Sequence, residues 1–293
     1  MPVKIREINF KEWIKKPLFW EIAVGTVVAL CVAIFVVVAL GKPVADDPEG
    51  ESTAWTEETQ NTTENTLPPP EANPIGLGDF YMEGAYLSCL STPSVLGIDV
   101  SFWQDTIDWQ QVKDSGVQFA MIRAGWRGSE QGVLSEDDFA QTNYAGASAA
   151  GIKVGAYFFS QAITPEEAVE EANYLLDIIK DWDVQMPVVF DWEVIDDESR
   201  TKDMDARTLT DCTKAFCETV KNAGYQPMIY FNKNQSLQML YLSELTDYGF
   251  WLAQYDTVLN YPYKIDMWQY SQTGTVPGIA GDVDINLYFP YEE

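Results

Sequence analysis

The chain has 293 residues, which is enough for one large domain or two of ordinary size. Its 45 acidic and 18 basic side chains give a net charge of −27, which argues against a nucleic-acid partner, since such a partner requires a basic face. The sequence contains no histidine, so Ser-His-Asp and Cys-His nucleophiles and the common histidine-ligated zinc or iron sites are excluded. Any hydrolysis must therefore use carboxylates, and we expect neither a metal ion nor another cofactor.

The N-terminal segment predicts a membrane anchor. Residues 1–21 carry five basic side chains, and residues 22–40 form an apolar run of 19 residues. At about 1.5 Å per residue, a helix of this length nearly crosses a hydrocarbon core of about 30 Å. The positive-inside rule places residues 1–21 in the cytoplasm, a transmembrane helix at 22–41 and the rest of the chain outside the cell. A cleaved signal peptide is the alternative, since Ala39-Leu40-Gly41 loosely fits a cleavage site, but the apolar run is longer than usual.

Residues 42–93 are rich in Glu, Thr, Asn and Pro, with Pro68-Pro69-Pro70 among them. Such a composition buries too little apolar surface to offset its ordering entropy, so we predict a disordered extracellular linker. Its last part, residues 81–90, is more apolar and is expected to pack against the domain that follows at residues 94–293.

From residue 94 onward, apolar runs typical of strands alternate with helical periodicity. The predicted strands are 95–100, 118–124, 153–159, 187–193, 226–231, 250–255, 265–270 and 284–289. The predicted helices are 109–114, 135–151, 164–179, 208–223 and 236–245. This order indicates an α/β fold, a modified TIM-type barrel with eight strands and about five helices. A doubly wound open sheet is the alternative, but no glycine-rich phosphate fingerprint follows any strand.

The fourth predicted strand ends in two acids, Asp191 and Glu193. Residues i and i+2 of a strand point to the same face, so both carboxyl groups face one space. Like charges at that distance disfavour joint ionisation, so we expect one acid to hold its proton near neutral pH while the other stays charged. Glycoside cleavage uses this division of roles. The alternative is a strand end that simply runs into an acidic loop.

Further acids and aromatic residues fall at other strand ends, where barrels of this class carry their functional residues. Asp99 ends the first strand and Asp284 begins the last. Rings suit stacking on sugars and amides suit hydroxyl recognition, so the predicted substrate-binding residues are Tyr157, Phe159, Tyr230, Trp251, Tyr255, Trp268 and Gln269. An aromatic residue taken singly more often packs a barrel core, but the set around four carboxylates favours a sugar cleft.

Six stretches resemble one known family. They are Gly97-Ile98-Asp99-Val100-Ser101-Phe102-Trp103-Gln104, Phe119-Ala120-Met121-Ile122-Arg123-Ala124-Gly125, Gly155-Ala156-Tyr157, Pro187-Val188-Val189-Phe190-Asp191-Trp192-Glu193, Trp251-Leu252-Ala253-Gln254-Tyr255 and Trp268-Gln269-Tyr270. In this order, over about residues 95–290, they resemble family 25 of the glycoside hydrolases, the N-acetylmuramidase-type lysozymes.

The resemblance implies cleavage of the β-1,4 bond between N-acetylmuramic acid and N-acetylglucosamine in peptidoglycan, on a barrel of eight strands and five helices. It implies that Glu193 is the general acid with Asp191 beside it, and that Asp99 and Asp284 complete the acidic site. We therefore expect Glu193 to hold the proton and Asp191 to stay charged. Phe158 departs from the pattern, because many members have histidine after the tyrosine of the Gly-x-Tyr motif. This departure puts one substrate contact in doubt.

The sequence thus predicts a glycosidase on the cell membrane, single-pass with its catalytic domain outside, whose partners are peptidoglycan glycan strands and the membrane. A catalytically inactive glycan-binding barrel and a tethered protein-interaction module are the alternatives from other classes. A magnesium-dependent phosphodiesterase is a third, although no basic cluster for phosphate lies near the strand ends. Protein partners are not predicted.

Overall fold

The computed structural model describes residues 67–196 and 198–291. The predicted membrane segment at 22–41 and the first part of the predicted linker lie outside these residues. Within the described ranges, no helix has both the length and the apolar character needed to span a bilayer.

The described part of the chain begins with a hairpin of β1 (Phe80–Glu83) and β2 (Tyr86–Cys89). The later strands are β3 (Val95–Val100), β4 (Phe119–Arg127), β5 (Leu134–Glu136), β6 (Lys153–Ser160), β7 (Val188–Trp192), β8 (Pro227–Asn232), β9 (Gly249–Ala253), β10 (Met267–Gly274) and β11 (Val283–Tyr288). The α-helices among the described residues are α1 (Trp109–Asp114), α2 (Ala140–Ala149), α3 (Pro165–Ile179), α4 (Ala206–Asn222) and α5 (Lys233–Met239).

Eight of these strands, β3, β4 and β6–β11, form a closed barrel, because β3 pairs with both β4 and β11. The pairs from β3 through β10 are parallel, and β11 alone runs antiparallel to both of its neighbours. The predicted barrel of eight strands and about five helices is confirmed within the described residues. The antiparallel β11 reverses its ends, so a residue near its start reaches the same rim as the last residues of the parallel strands.

Large side chains fill the barrel interior, and glycines make room for them. A Cβ atom on Gly97 would lie 2.2 Å from the ring of Phe119, and one on Gly155 would lie 2.5 Å from Met121 Cε. Both glycines lie on barrel strands, β3 and β6. The interior therefore packs large residues against bare backbone, which is how a small barrel reaches dense packing.

The helix predicted to begin at Ser135 begins later. Leu134–Glu136 is instead a short strand antiparallel to the end of β4, and α2 starts at Ala140. This pairing depends on Gly125, since a Cβ atom there would lie 2.5 Å from the carbonyl oxygen of Ser135. Tertiary contact with β4 thus overrides the local helical pattern.

Two other helices begin earlier than predicted. The helix predicted from residue 208 begins at Ala206, because the Asp205 side chain accepts hydrogen bonds from the backbone N–H groups of Arg207 and Thr208. The helix predicted at 236–245 is α5 followed by a separate 3-10 turn at Leu242–Glu244, and Asn232 caps its start. Both shifts come from capping by side chains just upstream of the apolar periodicity.

The end of the predicted linker is structured. Ala72 forms a β-bridge with Tyr263, Leu87 is buried, and the ring of Phe80 packs edge-on against Trp268 at 4.7 Å between centroids. The hairpin of β1 and β2 includes the residues 81–90 that we expected to pack against the domain. The ordered unit therefore begins before residue 94, because apolar side chains of the lead-in cover the outer face of β10.

Candidate active site

A cavity of about 310 Å³ opens at the rim formed by the C-terminal ends of the parallel strands. The four predicted acids, Asp99, Asp191, Glu193 and Asp284, all line it. They come from β3, the end of β7 and the start of β11, strands that are far apart in sequence. The fold thus gathers the four carboxyl groups in one space, as two pairs.

The first pair is Asp99 and Asp284, which are directly opposite each other in the antiparallel pairing of β3 with β11. Burial raises the pKa of Asp99 to about 6, against hydrogen bonds from Asn286, Gln269 and Asp284 that lower it. Burial and the neighbouring charge of Asp99 together raise the pKa of Asp284 to about 8. Near neutral pH, Asp99 is therefore the charged member and Asp284 holds a proton that it donates to Asp99.

Asp99 is held by two buried amides. The Nε2 of Gln269 donates to Asp99 Oδ2 at 2.9 Å, and the Nδ2 of Asn286 donates to the same oxygen at 2.8 Å. Each amide is oriented in turn, since the hydroxyl of Tyr230 donates to Gln269 Oε1 at 2.8 Å and the indole N–H of Trp251 donates to Asn286 Oδ1 at 2.9 Å. These bonds fix the direction of the Asp99 carboxylate and favour its charged form.

The second pair is Asp191 and Glu193, whose side chains are in hydrogen-bonding contact. Burial raises the pKa of Glu193, the hydrogen bond with Asp191 lowers it, and the charge of Asp99 raises it. Burial raises the pKa of Asp191 well above its usual value, the charges of Glu193 and Asp99 add to this, and Arg123 opposes it. Because their hydrogen bond raises the pKa of Asp191 and lowers that of Glu193, these surroundings favour the shared proton on Asp191, which is the reverse of the division of roles that we expected.

One oxygen of Asp191 is unusual. Its Oδ1 is buried and has no hydrogen-bond partner among the described residues. A buried acceptor without a donor is costly, so such atoms are rare and often functional. A substrate N–H or O–H placed at this oxygen would supply the missing donor and lower the pKa of Asp191.

The backbone at Glu193 is held by side chains. Glu193 follows the last residue of β7, so its carbonyl oxygen lies beyond the strand pairing. The Nε2 of buried Gln161 donates to this oxygen at 2.6 Å, and the Nε2 of Gln235 donates to the carbonyl oxygen of Trp192 at 2.7 Å. The two amides replace the lost strand partners and fix the strand end that carries the pair.

Six of the seven predicted substrate-binding residues line the cavity: Tyr157, Phe159, Tyr230, Trp251, Tyr255 and Gln269. Trp268 does not. It is fully buried on the outer side of β10, where its ring contacts Phe80 and its N–H donates to the Gln254 carbonyl at 2.8 Å. Neighbouring strand residues face opposite sides, so Trp268 and Gln269 cannot both point into the barrel. Phe158 is likewise buried outside the cavity, against Tyr174, so its departure from the family pattern does not touch the cleft.

The cavity also includes residues that the sequence did not single out. Trp103 is 73% exposed and lines the mouth, while Arg123 lines the wall. The Arg123 guanidinium lies 4.8 Å from the ring centre of Phe102, and its Nε donates to Asp137 at 2.8 Å. Both residues lie within the stretches that resemble the family, but residue type alone gave no reason to place them in the cleft.

A closed barrel with paired carboxyl groups at its rim defines a class of enzyme, the glycosidases that work by carboxylate acid and base catalysis. In the described residues, no group of three or more His, Cys, Asp or Glu side chains is arranged to hold a metal ion. The sequence model of the family "Glycosyl hydrolases family 25" matches residues 98–279, which form most of the barrel domain. The chain belongs to this family, and it is a glycosidase.

Known proteins are similar to this chain over the same region. Lysozyme M1 of Streptomyces globisporus is 26% identical over 246 residues, covering 76% of this chain and 82% of that protein. The bacterial lysozyme from Streptomyces coelicolor is 27% identical in a structural match with a TM-score of 0.53, covering 68% of this chain and 93% of that one. The modular autolysin LytC from Streptococcus pneumoniae matches with a TM-score of 0.59 at 25% identity, covering 67% of this chain and 47% of LytC. This chain therefore spans about half the length of LytC.

Proposed function

We propose that this protein is a peptidoglycan hydrolase that cleaves the β-1,4 bond between N-acetylmuramic acid and N-acetylglucosamine. The observation that carries the proposal is the gathering of Asp99, Asp191, Glu193 and Asp284 in one cavity with rings on its walls. Similarity to lysozymes supports the substrate, and LytC has also been solved in complex with a synthetic peptidoglycan ligand.

Glu193 is the proposed general acid. Burial raises its pKa, which favours the protonated form, and the carboxyl group donates its proton to the glycosidic oxygen. The hydrogen bond from Gln161 to the backbone carbonyl of Glu193 supports this role, since proton transfer requires a fixed distance between the acid and the leaving oxygen.

Asp191 has three possible roles: direct attack on the sugar, steering of a water molecule, or orientation of the substrate's own 2-acetamido group as internal nucleophile. The unpartnered Oδ1 favours the third role, because an acetamido N–H supplies the donor that this oxygen lacks. That bond lowers the pKa of Asp191, so the proton of the pair passes to Glu193 when substrate binds, and each acid then has the form that its proposed role requires.

Asp99 and Asp284 are proposed to hold and polarise the cleft. The negative charge of Asp99 stabilises the positive charge that develops on the sugar ring in an oxocarbenium-like transition state. Asp284 keeps this charge in place through the proton that the two carboxyl groups share.

We also propose that residues 22–41 anchor the protein in the cell membrane with residues 1–21 in the cytoplasm and the barrel outside. The apolar run and its basic flank support this arrangement. It predicts that the full-length protein stays with membranes after alkaline carbonate extraction and that external protease removes the barrel from intact cells. Release of the barrel by carbonate alone would contradict the anchor.

The test of activity uses the full-length protein in detergent, purified cell walls, and the variant Glu193→Gln. Wild type is expected to release fragments with N-acetylmuramic acid at the new reducing end, identified after borohydride reduction. Glu193→Gln is expected to lose activity at least about 100-fold, the usual contribution of a general acid. The exposed and distant Asp114→Asn serves as the matched control.

Two outcomes would contradict the proposal. Activity of Glu193→Gln within a few-fold of wild type would remove Glu193 from the role of acid. Wild-type protein that binds walls but releases no reducing ends would favour the alternative, a glycan-binding barrel without catalysis.

A further inference from the structure

A second groove, the side groove, joins the catalytic cavity at Glu193. It consists of two adjoining cavities of about 260 and 530 Å³ that share Glu193, Asn232 and Asn234. One wall is the loop residue Val194 after β7, and the other is formed by Asn232, Lys233, Asn234, Gln238 and Met239 at and along α5. The larger cavity also shares Tyr230 and Tyr255 with the catalytic cavity, so the two spaces are continuous. A substituent on a sugar bound at Glu193 can therefore enter the side groove.

The chemistry of the side groove differs from that of the sugar cleft. Asn234 and Gln238 lie one helical turn apart on α5, are exposed, and make no side-chain hydrogen bond to any described residue. Val194 is 46% exposed and, with Met239, adds apolar surface. Free amides beside small apolar surfaces suit a peptide, whose backbone both donates and accepts hydrogen bonds and whose short side chains need apolar contact.

A cation completes the side groove. Lys233 lines the larger cavity, and its Nζ donates to the carbonyl oxygen of Asn260 at 2.7 Å, which uses one of its three N–H groups. Within the described ranges it forms no ion pair, unlike Arg123 in the catalytic cavity, which is paired with Asp137. In a chain with a net charge of −27, this ammonium group is a local exception suited to a carboxylate.

We infer that the side groove binds the stem peptide that muramic acid carries on its lactyl group, with Lys233 contacting a peptide carboxylate and Asn234 and Gln238 contacting the peptide backbone. This inference rests on the proposed function, since it concerns a part of the same substrate. It makes the side groove a determinant of specificity that distinguishes peptide-bearing from bare glycan.

The experiment compares two substrates prepared from one source. Soluble glycan strands are released from purified walls, and half are treated with an amidase that removes the stem peptides at the lactyl bond. The measured quantity is the ratio of kcat/KM on peptide-bearing strands to kcat/KM on bare strands. Full-length wild type is compared with Lys233→Gln, with Asn234→Ala/Gln238→Ala, and with Lys153→Gln, an exposed lysine at the opposite end of the barrel.

We expect each groove variant to lower this ratio about fivefold, as loss of one ion pair or of two hydrogen bonds predicts. Lys153→Gln should keep the wild-type ratio. Thermal unfolding checks that each variant is folded. If Lys233→Gln is destabilised, the Asn234→Ala/Gln238→Ala variant still tests the inference, because both of its residues are exposed. An unchanged ratio in both groove variants would overturn the inference.

Equal losses on both substrates would also overturn it, because they would assign the side groove to sugar units. If the wild-type protein were inactive on both kinds of strand, this result would contradict the proposed function, and the inference with it. The two failures are therefore distinguishable.

Discussion

The hydrogen bond from Gln269 to Asp99 sets the pH at which the cleft loses its negative charge. Replacing Gln269 by Met keeps the side-chain length and removes the Nε2 donor that lies 2.9 Å from Asp99 Oδ2. Asn286 remains as the second amide donor at 2.8 Å. The pKa of Asp99, about 6 in the wild type, should therefore rise, since one of the groups that stabilise its charged form is gone.

The size of this rise follows from the bond that is lost. A hydrogen bond to a charged group contributes about 1.5–3 kcal/mol, and one pKa unit corresponds to about 1.4 kcal/mol. Partial compensation by Asn286 favours the lower end, so we expect a shift of about one unit, from about 6 to about 7. At pH 6 the charged fraction of Asp99 then falls from about one half to about one tenth, and the rate falls about fivefold.

The assay is the pH profile of kcat/KM on soluble glycan strands between pH 4 and 9. Because Asp99 must be charged, activity is lost as pH falls through its pKa, and the acid limb of Gln269→Met should lie about one unit higher than that of wild type. Gln272→Met is the matched control, since Gln272 lines the same cavity but has no bond to Asp99.

The reasoning would be refuted if the acid limb of Gln269→Met did not move, or if it moved to lower pH. An equal shift in Gln272→Met would refute it as well, since the cause would then be general loss of polarity. Tyr230 and Tyr255 also lose their acceptor on Gln269, so thermal unfolding is measured to separate any loss of stability from the change in pKa.

Three further predictions concern the mouth, the acid pair and the barrel interior. Trp103→Ala should raise KM about tenfold with kcat retained, because a stacked sugar would cover about 55 Å² of the exposed ring. Trp103→Phe should recover most of this loss. An unchanged KM in Trp103→Ala would contradict a contact between this ring and the substrate. Asp284 has a pKa of about 8 in the fold and about 4 when unfolded, so the native state binds more protons in between and the free energy of unfolding falls as pH rises through that window. Asp284→Asn should therefore have a higher Tm than wild type at pH 8 and an equal Tm near pH 4, and a lower Tm at pH 8 would be contrary to this account. Gly97→Ala should lower the free energy of unfolding by about 1–3 kcal/mol, measured by chemical denaturation, because its Cβ would lie 2.2 Å from Phe119. Gly78→Ala, where a Cβ atom meets open space, should change this free energy little. Equal losses in the two variants would count against the packing argument.

The sequence predicted the barrel because its strands are apolar runs, which can be recognised from the local sequence without knowledge of long-range contacts. The same local logic predicted that Asp191 and Glu193 face one space, since side-chain alternation is a property of the strand itself, and both line the cavity at the end of β7. It failed where alternation was not applied, at Trp268, which faces away from the cavity while its neighbour Gln269 faces into it.

Contacts between distant segments decided what lies around those acids. The strand β5 exists because Gly125 of β4 lets the backbone of Ser135 approach, although the local pattern predicts a helix there. The cleft mouth was missed for a similar reason, since Trp103 looks locally like any buried aromatic residue, and only the fold leaves it 73% exposed.

The sequence by itself determined the order of the eight barrel strands and the presence of four carboxylates at their ends, because strand formation and side-chain alternation are local properties. Only the tertiary structure decided how those acids are paired. Asp99 meets Asp284 through the antiparallel register of β3 and β11, whose partners are 185 positions apart by their residue numbers, 284 − 99. That register is set by barrel closure, and it is closure that gives each acid the burial and neighbours on which its proton depends.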